Sequence, residues 1–190
     1  MITGKRVLLR EFRQGDLEAI QAWVNKPGIR KYLSFSVFPQ TLEETQGYLE
    51  RQLRRQSDKE ITFVIALRED PEERYIGAVG LHGIDYIHRR AEVGISIGRE
   101  DLHGQGLGCE AMELICAFAF LRLGLHKLNL RYFAYNKRGE ACYRKAGFKD
   151  AGRLRENHFF NGRFHDEVHM DLLAEEYLAA HPEATALFEG

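Results

Sequence analysis

The sequence predicts one mixed α/β (α+β) domain, with a sheet of about seven strands flanked by about four helices. Three observations carry this. Short apolar runs with two-residue alternation share the chain with segments of helical spacing. A glycine cluster, Gly104 to Gly108, joins a strand-like run to the strongest helical segment. An Asn161-Gly162 pair between two apolar runs marks a hairpin. No repeat or linker divides the chain, so residues 1–190 read as one domain, with 174–190 as a C-terminal tail.

Arg6 to Phe12 is the expected first strand. Asp16 is placed to cap a helix that runs to about Val24 and stops at Pro27-Gly28. Thr41 precedes Glu44 by three residues, the spacing of a capping box, and opens a second helix to about Arg55. Ile61 to Leu67 is a β-rich run closed by the Asp70-Pro71 turn. Tyr75 to Leu81 and Ala91 to Ile97 follow as strands, joined by the polar stretch Asp85 to Arg90. Ala111, Leu114, Ile115, Phe118, Leu121 and Leu125 recur at helical spacing and give the third helix one buried face. Leu128 to Tyr135 alternates as a strand, and a short helix ends at Ala146 before Gly147. Phe159-Phe160 and Arg163-Phe164 flank the hairpin turn, and Val168, Met170 and Leu172 alternate on the return strand.

Composition removes several classes. With 44% hydrophobic and 29% charged residues the chain suits a soluble globular protein, not a disordered one. A net charge of −1 argues against nucleic acid held by charge alone. Cys109, Cys116 and Cys142 are an odd count and read as reduced thiols. The most apolar window, Ala111 to Leu125, contains Glu113 and Arg122 and falls short of the ~20 apolar residues a bilayer needs. No signal-peptide core opens the chain, so the expected address is cytoplasmic, with no membrane partner.

The glycine cluster reads His103-Gly104-Gln105-Gly106-Leu107-Gly108-Cys109. Glycines let the backbone approach a ligand, and free N–H groups at a helix start attract anions, so a pyrophosphate is the natural guest. A tight structural turn is the plain alternative. A P-loop needs Lys-Ser/Thr after its last glycine, where this chain has Cys109-Glu110. A dinucleotide fingerprint needs its third glycine one position later. Charge points the same way: residues 122–163 carry eleven Lys/Arg against three Asp/Glu, whereas seven acids and no Lys or Arg follow Arg163. That is either a solvated face or a surface that meets a polyanion.

The order strand, Gly-x-Gly-x-Gly, long helix, strand, Asn-initiated helix, Gly-Phe resembles the GNAT superfamily of acetyl-CoA-dependent N-acetyltransferases. Carrying residues are Glu92 to Ile97, the loop His103 to Gly108, and Asn136 with Tyr143-Arg144-Lys145-Ala146-Gly147-Phe148. His103 replaces the usual Gln or Arg, and Gly139 stands where Ala or Ser is common. His88 to Glu92 and His158 to Gly162 are similar to spermidine N-acetyltransferases. Leu8 to Phe12 and Asp166 to Leu173 look like the ribosomal-protein alanine N-acetyltransferase branch.

The resemblance implies a mixed sheet whose central strands splay around the pantetheine of acetyl-CoA. Ile95, Ser96 and Ile97 then supply backbone partners, one N–H stabilises the oxyanion, and His103, Gly104, Gln105, Gly106, Leu107, Gly108 and Cys109 hold the pyrophosphate. Asn136 and Tyr143 complete the donor site. Tyr143 matches the family's general acid; a phenol near pKa ~10 can protonate a thiolate near ~8.5. No metal is implied.

Glu92 is the base candidate, sharing a strand face with Gly94 and Ser96; the plain alternative is an ion pair with Arg89 or Arg90. His82, Asp85 and His165 are further base candidates. Tyr32, Phe35, Phe38, Arg30 and Lys31, with Phe159, Phe160 and Phe164, are candidates for the acceptor pocket or for plain packing. The expected acceptor is a protein N-terminus or a small amine such as a polyamine. A basic acceptor calls for acids in the pocket, and residues 26–40 contain none. A homodimer is a possible assembly. The alternative function is a non-catalytic acyl-CoA-binding regulatory module, against which Tyr143 speaks.

Overall fold

A computed structural model of the chain describes residues 1–33, 38–55 and 57–188. Its strands are β1 (Ile2–Thr3), β2 (Val7–Arg10), β3 (Ile61–Leu67), β4 (Tyr75–Asp85), β5 (Arg90–Ile97), β6 (Lys127–Phe133), β7 (Lys149–Phe160) and β8 (Arg163–Leu173). They form one sheet in the order β1-β2-β3-β4-β5-β6-β8-β7. Every neighbouring pair is antiparallel except β5–β6, which is parallel. A parallel pair needs a long crossover, and the third long helix supplies it.

The parallel pair is brief. Arg90, Ala91 and Glu92 face Lys127, Leu128 and Asn129, and from Val93 onward β5 and β6 part. This is the expected splay. It leaves a wedge between the strands at the centre of the sheet.

The helices are α1 (Asp16–Val24), α2 (Pro27–Arg30), α3 (Leu42–Arg54), α4 (Leu107–Ala117), α5 (Lys137–Lys145) and α6 (Ala174–Ala180). On one face Ile20, Trp23, Val24 and Leu49 from α1 and α3 pack on Val64, Tyr75 and Ala78 of the sheet. On the other, Leu107, Met112 and Ile115 of α4 pack with Val79, Val93, Leu128 and Leu130, joined by Tyr143 of α5 and Tyr177 of α6.

Several expectations hold in detail. Thr41 Oγ1 accepts from the Glu44 N–H at 3.1 Å, and Glu44 Oε2 accepts from the Thr41 N–H at 2.7 Å, which is the capping box. Asn161 and Gly162 have φ of 49° and 77°, both positive as a type I′ turn requires.

Others need correction. Among the described residues the sheet has eight strands and there are six α-helices, because β1, α2 and α6 are short or weakly patterned. Asp16 is not the cap of α1; Gly15 is, and the Asp16 carboxylate is buried. It accepts from Arg10 Nη1 at 2.9 Å and Nη2 at 2.6 Å, and from the Arg13 N–H at 2.8 Å. Pro27 starts a helix rather than ending one, as its fixed φ suits a first helical position. The helix expected to reach Leu125 changes at Phe118 into a π-helical turn, Phe118–Arg122. Strand β7 begins at Lys149, ten residues before the predicted apolar pair Phe159-Phe160.

Candidate active site

A cavity of about 2050 Å³ opens from the wedge and runs between α3, the sheet and the start of α4. Its two ends differ chemically.

At one end lies the glycine loop. Gly104 and Gly106 have φ of 76° and 82°, and a side chain at either would meet only open space. The backbone conformation therefore demands glycine there, and the space above it stays free for a ligand. Gly106 caps α4 without any side chain, so the N–H groups of the first turn face outward. The nearest acid, Glu110, is turned away: its Oε1 accepts from the Arg6 and Val7 N–H groups at 2.8 and 3.2 Å. Arg6 Nη1 donates to the Gln105 carbonyl at 2.7 Å and Gln105 Nε2 to the Asp101 carbonyl at 3.0 Å. Gln105 thus braces the loop and is not on the cavity wall, whereas His103, Gly104, Gly106, Leu107, Gly108 and Cys109 are. An open backbone cradle at a helix start fits a pyrophosphate.

His103 has a structural explanation that the sequence pattern lacked. Arg138 Nη1 donates to its Nδ1 at 2.6 Å, so its Nε2 carries the proton and donates to the Ile97 carbonyl at 2.9 Å. The imidazole therefore clamps the loop to the end of β5 and to α5. The Ile97 carbonyl is already engaged, which narrows the backbone groups expected to meet a ligand. Ile95 and Ser96 lie on the same stretch of β5, and all three residues line the wedge. Arg138, which sequence reasoning did not single out, brings a guanidinium to the loop and lies 5.6 Å over the Tyr32 ring. Only the general excess of Lys/Arg around it signalled its role.

Asn136 caps α5, its Oδ1 accepting from the Gly139 N–H at 3.0 Å. A side chain at Gly139 would sit 2.6 Å from Asn136 Nδ2, so the capping side chain would have to shift to admit one. Tyr143, on the same helix, lines the cavity at 9% exposure, its ring 5.6 Å from that of Tyr132. Burial, then Cys142 and Tyr132, push its phenol well above the ordinary tyrosine value, so it holds its proton throughout the physiological range. Cys142, beside it, is also pushed up, by burial first and then by its neighbour Cys109.

Away from the loop the wall carries carboxylates: Glu43 and Glu44 of α3, Glu60 before β3, Glu92 of β5 and Glu167 of β8 line it, with Arg51, Arg90 and Arg131 among them. Glu92 Oε1 accepts from Arg131 Nε at 2.9 Å. Its partner is thus on β6, not the expected Arg89 or Arg90, because the two strands run side by side only at this point. Arg89 instead donates to the Gly124 carbonyl, and Arg90 lies 3.7 Å from Asp85. His82 faces Glu92 across β4–β5 and lines the cavity.

The other candidates fall elsewhere. Asp85 Oδ1 accepts from the Ile87 and His88 N–H groups, which hold its carboxyl below the usual range and make it a turn residue. His165 packs edge-on to Tyr135 at 4.8 Å, outside the cavity lining. Tyr32 lines the cavity and leans on Tyr135, with Lys31 Nζ 4.9 Å over its ring. The Tyr135 hydroxyl donates to the Lys31 carbonyl. Arg30 and Phe38 are off the lining, Phe38 standing in solvent. Phe159 and Phe164 pair with each other at 5.1 Å on the exposed hairpin. Phe160 stacks on Tyr135 at 5.7 Å. Phe35 lies outside the described residues.

A splayed mixed sheet, a bare helix start beside the wedge and a buried phenol on its wall define an acyltransferase that takes its acyl group from a nucleotide thioester. The family model of the acetyltransferase (GNAT) domain matches residues 6–149. Spermidine N(1)-acetyltransferase of Vibrio cholerae is 31% identical over 175 residues, 92% of this chain and 97% of the relative. A crystal structure of spermidine N-acetyltransferase from Vibrio cholerae with CoA and spermine superposes with a TM-score of 0.79 at 30% identity, covering 90% of this chain and 98% of that one. YdaF of Bacillus subtilis, a ribosomal N-acetyltransferase-like protein, is 31% identical over 101 residues, 53% of this chain and 55% of its own. This chain belongs to the GNAT acetyltransferases. It is an N-acetyltransferase with acetyl-CoA as its acyl donor. Among the described residues no helix is long and apolar enough to cross a membrane.

Proposed function

We propose that the acceptor is a small cationic amine of the polyamine type. One observation carries this: Glu43, Glu60, Glu92 and Glu167 reach the acceptor end of the cavity from four separate parts of the chain. The acids absent from residues 26–40 are supplied by other elements. Carboxylates on several sides suit an ammonium-bearing chain. The spermidine and spermine recognised by the relatives fit this reading.

In this reading the Gly104–Cys109 backbone and the first turn of α4 receive the pyrophosphate, and Ile95 and Ser96 offer backbone groups to the thioester arm. Glu92 takes a proton from the incoming ammonium through water, His82 standing next to it on the same wall. Tyr143 returns a proton to the departing sulfur. Burial keeps the phenol protonated until the sulfur leaves, and transfer becomes favourable only as the thiolate's charge develops and the C–S bond breaks.

The test is coupled CoA release with acetyl-CoA and a panel of polyamines, an aminoglycoside, amino acids and short peptides beginning with Ala, Ser or Met. Turnover concentrated on polyamines supports the proposal. Turnover confined to peptides reassigns the acceptor to a protein N-terminus. Light scattering on the same sample tests the homodimer.

A further inference from the structure

Five carboxylates line the cavity, and their surroundings differ. Glu43, Glu44, Glu60 and Glu92 are exposed, so water screens them. Glu167 is 6% exposed. It lies on β8 opposite Phe133 of β6, on the face that carries Arg131 and away from the core residues Val168 and Met170. Beside it Phe133, which lines the cavity, stacks on His158 at 3.7 Å.

A buried carboxylate needs a cation, because low local polarity makes an uncompensated charge costly. The nearby guanidinium is committed elsewhere. Arg131 gives its Nε to Glu92 at 2.9 Å, while its Nη1 stays 3.9 Å from Glu167 Oε2, beyond hydrogen-bond reach. His169 Nε2 lies 2.9 Å from the other oxygen, Oε1. Two carboxylates therefore flank one guanidinium, and Glu167 Oε2 keeps the weaker share of it.

We infer that Glu167 binds an ammonium group of the acceptor other than the one acetylated, and so sets the preference for amines carrying two or more positive charges. Glu92 serves the reacting nitrogen and Glu167 the distant one. This rests on the small-amine reading above and names the residue that enforces it. The argument is electrostatic: an ammonium placed at Oε2 is favoured far more in the buried wall than the same contact at an exposed acid.

The experiment compares diaminohexane with hexylamine, two chains of one length that differ by the second ammonium. The wild type is expected to favour the diamine in kcat/KM. In Glu167→Gln the ratio of the two kcat/KM values falls about tenfold or more, through the KM of the diamine, as removal of a buried charge partner predicts. Glu60→Gln, an exposed acid on the same wall, moves the ratio much less. A Glu167→Asp variant keeps the charge but draws it back, and shifts the preferred diamine toward a longer chain. That second variant tests the inference if the glutamine form does not fold. A glutamine variant that keeps the wild-type preference overturns the inference, as does one that loses both amines equally, which marks a structural role. A wild type that acetylates neither these amines nor spermidine and spermine overturns the small-amine reading itself; one that acetylates spermidine but shows no preference between the two C6 amines overturns this inference alone.

Discussion

In the proposed reading the donor end of the cavity comes from two nearby stretches, residues 95–109 and 136–143, and works mainly through backbone: positive-φ glycines, a bare helix start and strand residues left by the splay. The proposed acceptor end draws Glu43, Glu60, Glu92, Arg131 and Glu167 from five separate places and would work through side-chain charge. Backbone recognition is rigid and is written in glycine spacing. Side-chain recognition can be changed one residue at a time while the donor end stays as it is. One fold can thus hold its acyl donor constant and vary its amine.

Tyr143 stands where the two ends meet and gives the largest expected effect. Tyr143→Phe should lower kcat about 10²–10⁴-fold while the Kd for acetyl-CoA stays put. A Kd that weakens in step would mean the phenol also builds the donor end. Gly106→Val probes that end alone. A β-branched residue at φ 82° is strained, and its methyl groups enter the ligand space, so the acetyl-CoA Kd should rise about tenfold or more with the amine preference retained. Calorimetry that finds an unchanged Kd in a folded variant removes the loop from the donor site.

His103→Ala loosens the clamp between loop, β5 and α5. Loss of its hydrogen bonds, worth about 1 kcal/mol in sum, should weaken acetyl-CoA about fivefold. An unaltered thermal shift with acetyl-CoA would show that the glycine backbone stands without the imidazole. The smallest effect lies at His158, stacked behind Phe133 of the cavity wall. Burial and then His165 lower the pKa of His158, so the unfolded chain binds that proton more tightly. The stability this provides is present above the usual histidine value and fades as pH falls through the folded one. Going from about pH 7.5 to about pH 5.5, the urea midpoint should fall further for the wild type than for His158→Phe. Parallel falls would leave His158 without a titrating role.

The contrast between the two ends also explains what sequence could reveal. The loop, Asn136 and Tyr143 are legible because close spacing and special backbone geometry leave a local signature. So do the Thr41-Glu44 box and the Asn161-Gly162 turn, whose partners are at most three residues apart. The Glu92–Arg131 pair is not legible, since 39 residues separate partners that only the sheet brings together. Glu167 was readable in part: the alternation of Val168, Met170 and Leu172 puts it on the other face, though its burial depends on what packs there. Strand β7 escaped because Lys149 to Asn157 is exposed throughout, and an edge strand wet on both faces has no apolar alternation to read. The type and position of Asp16 suit a cap, but its partner, Arg10, comes from the preceding strand.

Three residue pairs join the five-stranded part of the sheet, β1 to β5, to the three-stranded part, β6 to β8. Helices bridge the two, but along the strands themselves the seam is short. An occupant of the wedge that bonds to both lips would act as a missing rung and stiffen parts of the molecule far from its own contacts. Ligand occupancy and resistance to unfolding are then linked quantities, with slowed amide exchange expected on both banks of the seam. By that logic the idle enzyme is its most perishable form, and the supply of its acyl donor sets how long it lasts as well as how fast it works.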